Sequence, residues 1–252
     1  MTFASAAQAQ ERFSCETLEV SGNPEYPPLL WQSSQTPGLL TGAVPQLLRE
    51  IVEPLGIRVK VRDIGSWARV QRQAELGEID LVAGAFITSE RIGYLDYVLP
   101  PMMHLETNVW VLKHRQFEYR HWPDLKGRQG STLINNSFGQ RFDRYASENL
   151  DIEGVRSIEQ SFLMAKAERV DYVLYEELQG RVKLARLGLN DDFVALEPAI
   201  SREGLFFAFP KRSRCNSEAL REAFMQSLNR LTNEGRLSEL ISEYARRYVD
   251  QR

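Results

Sequence analysis

The sequence predicts an α/β chain of two doubly wound lobes joined by two hinge strands, with a ligand cleft between the lobes. Three observations predict it. Apolar residues switch repeatedly between strand-length runs and the 3.6-residue spacing of a buried helix. That alternation occurs twice along the chain, with strand signals near 108–113 and 205–210 and no long linker, tandem repeat or low-complexity tract between the halves. With 252 residues, 43% hydrophobic and 26% charged, the chain is large enough to bury two cores of ordinary size.

The first half opens with a short strand from Leu18 to Ser21, followed by a Pro-rich aromatic turn carrying Tyr26-Pro27-Pro28 and Trp31. Val44, Leu47, Leu48, Ile51, Val52 and Leu55 recur at helical spacing and stop at Gly56. Ile57, Val59 and Val61 alternate with Arg58, Lys60 and Arg62, the pattern of a half-buried strand. Ser66 is placed to cap a helix running to Leu76 and Gly77, and Asp80 to Gly84 reads as a buried strand. The β-α-β-α-β order implies a parallel sheet covered by helices.

A second unit opens after Trp122-Pro123-Asp124-Leu125-Lys126-Gly127. It has strands at Gln129–Ile134 and Asp171–Tyr175, helices after Ser137 and near Ser157, and a helix ending at Leu187. Leu205–Phe209 is an apolar strand, and two amphipathic helices follow from about Ser217 to Thr232 and from about Arg236 to Tyr248. The expected domains are 13–109 with 210–252 as lobe 1, and 110–209 as lobe 2.

A formal net charge of -3 and scattered Lys and Arg residues give no basic footprint for nucleic acid. No run approaches the roughly 18 apolar residues of a membrane span. Ala7-Gln8-Ala9 fits the small-x-small pattern at the end of a signal sequence, so an exported, periplasmic chain is expected. Cys15 and Cys215 are either a disulfide or two unrelated thiols. A bridge requires the C-terminal segment to return to the N-terminal lobe.

The stretch from Gly77 to Arg91 carries the most chemistry. A buried strand delivers Thr88 and Arg91 into a turn that opens a helix, combining a hydroxyl, a guanidinium fork and free backbone N–H groups. Such a set suits a carboxylate. The bland alternative is a surface Arg91 paired with an acid such as Asp96. Catalytic templates fit poorly: His104, His114 and His121 lack zinc spacing, Ser137 is not in a G-x-S-x-G elbow, and no P-loop occurs. No cofactor and no metal are expected.

Gly77, Asp80, Gly84, Thr88 and Arg91 form the pattern G-x-x-D-x-x-x-G-x-x-x-T-x-x-R, which resembles the signature of the periplasmic amino-acid-binding proteins that serve ABC importers. The resemblance extends over Tyr26-Pro27-Pro28, Trp67, Asp124 to Gly127, Asp171 to Glu176 and Asn233-Glu234-Gly235. It implies that Arg91 and Thr88 clamp a ligand carboxylate and that the Gly84 carbonyl meets an ammonium. It also implies that Tyr26 and Trp67 offer flat rings, that Ser137 with the N–H groups of Phe138 and Gly139 meets the carboxylate from the second lobe, and that Glu176 takes the ammonium. Tyr175 flanks Glu176 within reach of the ligand.

Several residues depart from the family pattern. Phe86 stands where a Ser or Thr is common, which makes the site more apolar there. The segment Ile134 to Phe138 lacks the usual Gly-Thr step, and Glu176 replaces the commoner Asp. The implied function is an extracytoplasmic, monomeric protein that closes around a small amino-acid-like carboxylate and presents it to an ABC permease. The alternatives are a binding component docking onto a signalling receptor, or a cyclohexadienyl-dehydratase-like enzyme. The general-acid position of that enzyme is Gln179 here, and an amide is a poor proton donor. The chain is therefore read as a non-enzyme.

Overall fold

In the computed structural model, which describes residues 13–251, the described chain divides into two units. One holds residues 13–103 and 205–246, the other 104–204 and 247–251. The Ala7-Gln8-Ala9 motif lies outside the described residues. Among them, no helix is long and apolar enough to cross a membrane.

In the first unit, β1 (Thr17–Ser21) lies between β5 (Arg58–Val61) and β6 (Leu81–Ala85), parallel to both. The sheet also contains antiparallel members. The end of β12 (Phe193–Pro210) pairs with β6 and with the short β7 (Leu95–Tyr97). A small antiparallel sheet of β2 (Glu25–Tyr26), β3 (Leu30–Gln32) and β4 (Leu40–Thr41) accounts for the Pro-rich turn region. Helix α1 (Ala43–Val52) buries Val44, Leu47, Leu48, Ile51 and Val52, as its spacing predicts. It starts at Gly42, whose φ of 135° favours glycine and where a Cβ would overlap the Leu29 carbonyl. Helix α2 (Trp67–Leu76) is capped by Ser66, and its Trp67, Val70 and Ala74 pack on Val82 and Ala208. The one-turn α3 (Ser89–Ile92) follows β6.

The second unit orders its strands β10 (Asp151–Val155), β9 (Gln129–Leu133), β11 (Tyr172–Glu176), β8 (Met103–Leu112) and β12. The first three are parallel and β8 runs antiparallel to β11. Helices α4 (Gln140–Asn149), α5 (Ile158–Lys166) and α6 (Glu177–Leu187) complete it. Its core contains Val109, Val111, Phe138, Phe142, Tyr172 and Leu174.

The two units use one local device. Ser66 and Ser157 cap α2 and α5 by accepting the backbone N–H groups of Arg69 and Gln160. At equal intervals beyond these caps, Gly77 (φ 77°) and Glu168 (φ 56°) turn the chain in the left-handed region. Three residues later come Asp80 and Asp171. The Asp80 N–H donates to Glu19 O at 2.7 Å while its carboxylate accepts Glu19 N–H at 3.0 Å. Asp171 repeats both bonds with Gln129, at 2.7 and 2.9 Å. Each acid thus fixes a helix–strand connection to the first strand of its sheet, and it does so before any ligand chemistry begins.

α7 (Glu218–Asn233) and α8 (Arg236–Asp250) close the chain. Cys15 and Cys215 form a disulfide within the first unit, with Cα atoms 5.0 Å apart. The C-terminal segment therefore does return to the N-terminal strand. Beside the bridge, Ser213 Oγ donates to Asp80 at 2.7 Å and accepts the Cys215 N–H, so the acid that orders β6 also orders the turn before α7.

Candidate functional site

In the first unit the segment after β6 carries Phe86, Thr88 and Arg91, and α2 brings Trp67 beside Arg91. Thr88 is the N-cap of α3, its hydroxyl oxygen accepting the Arg91 backbone N–H at 3.2 Å. The Arg91 guanidinium turns back: Nη1 donates to the Phe86 carbonyl at 3.2 Å and Nε to Gln71 Oε1 at 3.1 Å. It lies 5.3 Å from the ring centroid of Trp67, a cation–π distance. Arg91 is only 6% exposed, and no carboxylate partners it among the described residues. The alternative acid, Asp96, is engaged by Asn216 at 2.7 Å and Arg221 at 3.8 Å.

Phe86 contributes its backbone as much as its ring, because the same carbonyl also accepts the Tyr97 hydroxyl at 3.0 Å. Burial pushes the Tyr97 and Tyr94 hydroxyls up, so both stay protonated donors at neutral pH. Gly84, within β6, has φ 108°, a conformation that L side chains avoid. Tyr26 is buried on β2, opposite Leu30 of β3.

In the second unit the expected residues fall on two elements. Tyr175 and Glu176 end β11 and are fully buried, and the Tyr175 carbonyl accepts Trp110 Nε1–H at 3.0 Å. Ser137 and Phe138 precede α4, where an internal acid engages them. Asp143 accepts the Ser137 hydroxyl at 2.5 Å and the Phe138 N–H at 2.8 Å, while the Gly139 N–H donates to Ser137 Oγ at 3.3 Å. The Phe138 ring packs edge-on against Phe142, 5.8 Å between centroids, inside the core.

The model of the family described as bacterial extracellular solute-binding proteins, family 3, matches residues 18–247. The chain belongs to this family. The solute-binding protein is similar to a probable amino-acid ABC transporter-binding protein of Haemophilus influenzae, 23% identical over 253 residues, with 96% of this chain and 90% of the relative covered. Its fold resembles that of an amino acid ABC transporter substrate-binding protein of Streptococcus pneumoniae bound to L-arginine, with TM-score 0.78, 20% identity and 94% and 97% of the chains covered. It also resembles a histidine kinase sensor domain similar to periplasmic binding proteins, with TM-score 0.77, 18% identity and 93% and 97% covered. These two likenesses show a shared fold.

Three residues of the solute-binding protein that the motif did not single out shape these surroundings. Gln71 lies one helical turn after Trp67, so spacing alone puts it on the same face. Asp143 lies inside α4, where its charge pattern reads as an ordinary exposed helix. Glu203 abuts Gly139, where a Cβ would overlap its carboxylate.

Burial pushes the Glu203 carboxyl above its ordinary value of 4.5, and the nearby Asp143 charge adds to this while His104 opposes it. A raised acid favours its protonated form in the fold, so its ionisation costs stability as pH rises through the native value. Glu203→Gln should therefore unfold at higher temperature than wild type at pH 7.5 and match it at pH 3.5. An equal difference at both pH values would contradict this cause.

Proposed function

We propose that the protein binds one small amino-acid-like carboxylate outside the cytoplasm and presents it to an ABC importer. The observation that carries this reading is Arg91: a buried guanidinium lying against an aromatic face with no carboxylate partner among the described residues. A buried charge costs several kcal/mol unless it is paired, and a guanidinium fork is matched by a carboxylate. Thr88, holding the adjacent backbone turn, keeps a hydroxyl proton to donate to the same group. Glu176, fully buried, is the acid proposed for the solute ammonium, with the Gly84 carbonyl on β6 as a further acceptor. Tyr26, Trp67 and Phe86 supply apolar walls, and Tyr175 flanks the acid.

Ser137 and Phe138 enter the proposal with a changed role, because Asp143 already accepts their donors. They shape the loop, and the carboxylate is held mainly by Arg91. Membership of a solute-binding family supports binding over catalysis. The probable amino-acid ABC transporter-binding protein among its relatives supports the solute class, the importer and a periplasmic location.

Thermal unfolding with a panel of free amino acids and other small carboxylates tests this. A true solute at about a hundredfold excess over Kd stabilises the folded chain by roughly 2.7 kcal/mol. One chemical class should raise the midpoint clearly, and a panel that leaves it unchanged would contradict the proposal.

A further inference from the structure

Thr88 and Gln179 occupy matched places in the two units. Thr88 is the third residue after β6, the strand that Asp80 fastens, and Gln179 is the third after β11, the strand that Asp171 fastens. In an open α/β sheet the turns after the carboxyl ends of strands are where ligands are met. Gln179 is fully buried, and neither its Oε1 nor its Nε2 has a hydrogen-bond partner among the described residues. Thr107, 1% exposed, likewise has an unpartnered Oγ1. Thr107 is the register partner of Glu176 across β8 and β11, which sets both side chains on one face of the sheet.

A buried amide with neither end bonded loses its hydration and receives nothing in return. The start of α6 is closely packed. Gly180 lies flush on the Trp110 ring, where a Cβ would come within 2.6 Å, and Trp110 is itself tied to the Tyr175 carbonyl.

We propose that Gln179, with Thr107, is a specificity-determining contact that selects solutes whose side chain ends in a hydrogen-bonding group over those ending in hydrocarbon. The inference rests on the binding reading above and adds a residue and a selection rule to it. Both polar residues complete their hydrogen bonds only when such a group arrives, so an apolar side chain there leaves the amide stranded.

Calorimetric titration of the full chain with glutamine, arginine, leucine and methionine tests it, comparing wild type with Gln179→Met, Thr107→Val and Arg91→Ala. Wild type should bind glutamine or arginine at least tenfold more tightly than leucine. Gln179→Met, close in shape but without the amide, should reduce that preference at least tenfold, and Thr107→Val should reduce it in the same direction. A purely structural amide, or one satisfied by a trapped water, would change stability and leave the preference intact, which overturns the inference. If Arg91→Ala abolishes binding while Gln179→Met and Thr107→Val keep the wild-type preference, the inference fails and the binding reading stands. If no panel compound binds wild type, both fail.

Discussion

Arg91→Ala is expected to weaken solute binding by about thirtyfold or more while leaving the chain folded. Truncating one partner of a buried, hydrogen-bonded charge pair costs about 2–5 kcal/mol, and 1.4 kcal/mol is a tenfold change in Kd. The loss falls on the bound state, because among the described residues the guanidinium has Gln71, Phe86 and the Trp67 ring beside it and no acid. Unfolding of the free variant should therefore stay within about 2 kcal/mol of wild type, the order of one or two lost hydrogen bonds. Arg91→Lys keeps the charge without the planar fork and should recover only part of the affinity. Titration calorimetry on the three proteins, with circular dichroism to establish folding, checks this. Equal affinities would remove Arg91 from the site.

Replacing the disulfide with Cys15→Ser and Cys215→Ser should cost about 2–5 kcal/mol of stability. The bridge joins residues separated by 200 positions, so it restricts a very long loop in the unfolded chain. It also fastens the start of β1 to the segment before α7, next to the Ser213–Asp80 hydrogen bond. Urea unfolding of wild type, of wild type with reductant, and of the double variant should give a high midpoint in the first case and lower, matching midpoints in the other two. Identical midpoints in all three would show that packing alone holds the segment.

Much of this was legible in the sequence because the elements that carry it repeat simple patterns. The apolar spacing from Val44 to Val52 marks α1, the alternation from Ile57 to Val61 marks β5, and the Gly77–Arg91 stretch marks both β6 and the turn that carries Thr88 and Arg91. The missed elements hide for identifiable reasons. β10, Asp151-Ile152-Glu153-Gly154-Val155, is an edge strand exposed along most of its length, so it carries no hydrophobic alternation. The first half of β12 contains Pro198, which argues against a strand on local grounds. β7 is three residues long and β2 and β4 only two, too short for any period to register.

The site was less legible than the fold. Thr88 and Arg91 belong to one turn and are read together, whereas the partners of Arg91 come from α2 and from a backbone carbonyl. Asp143 reaches back from α4 to occupy the donors of Ser137 and Phe138, a bond that only the folded loop creates. Gln179 reads as one more polar residue at a helix start until its burial and missing partners are known.

The proposed role of Arg91 as the receptor of a carboxylate is tested by a side-by-side calorimetric titration of wild type with its best-binding amino acid and the α-carboxamide of the same compound. The amide keeps size, ammonium and side chain and removes only the negative charge. Binding at least a hundredfold weaker for the amide is the predicted result. Equal affinity for the two would contradict the claim and leave the buried guanidinium without a ligand.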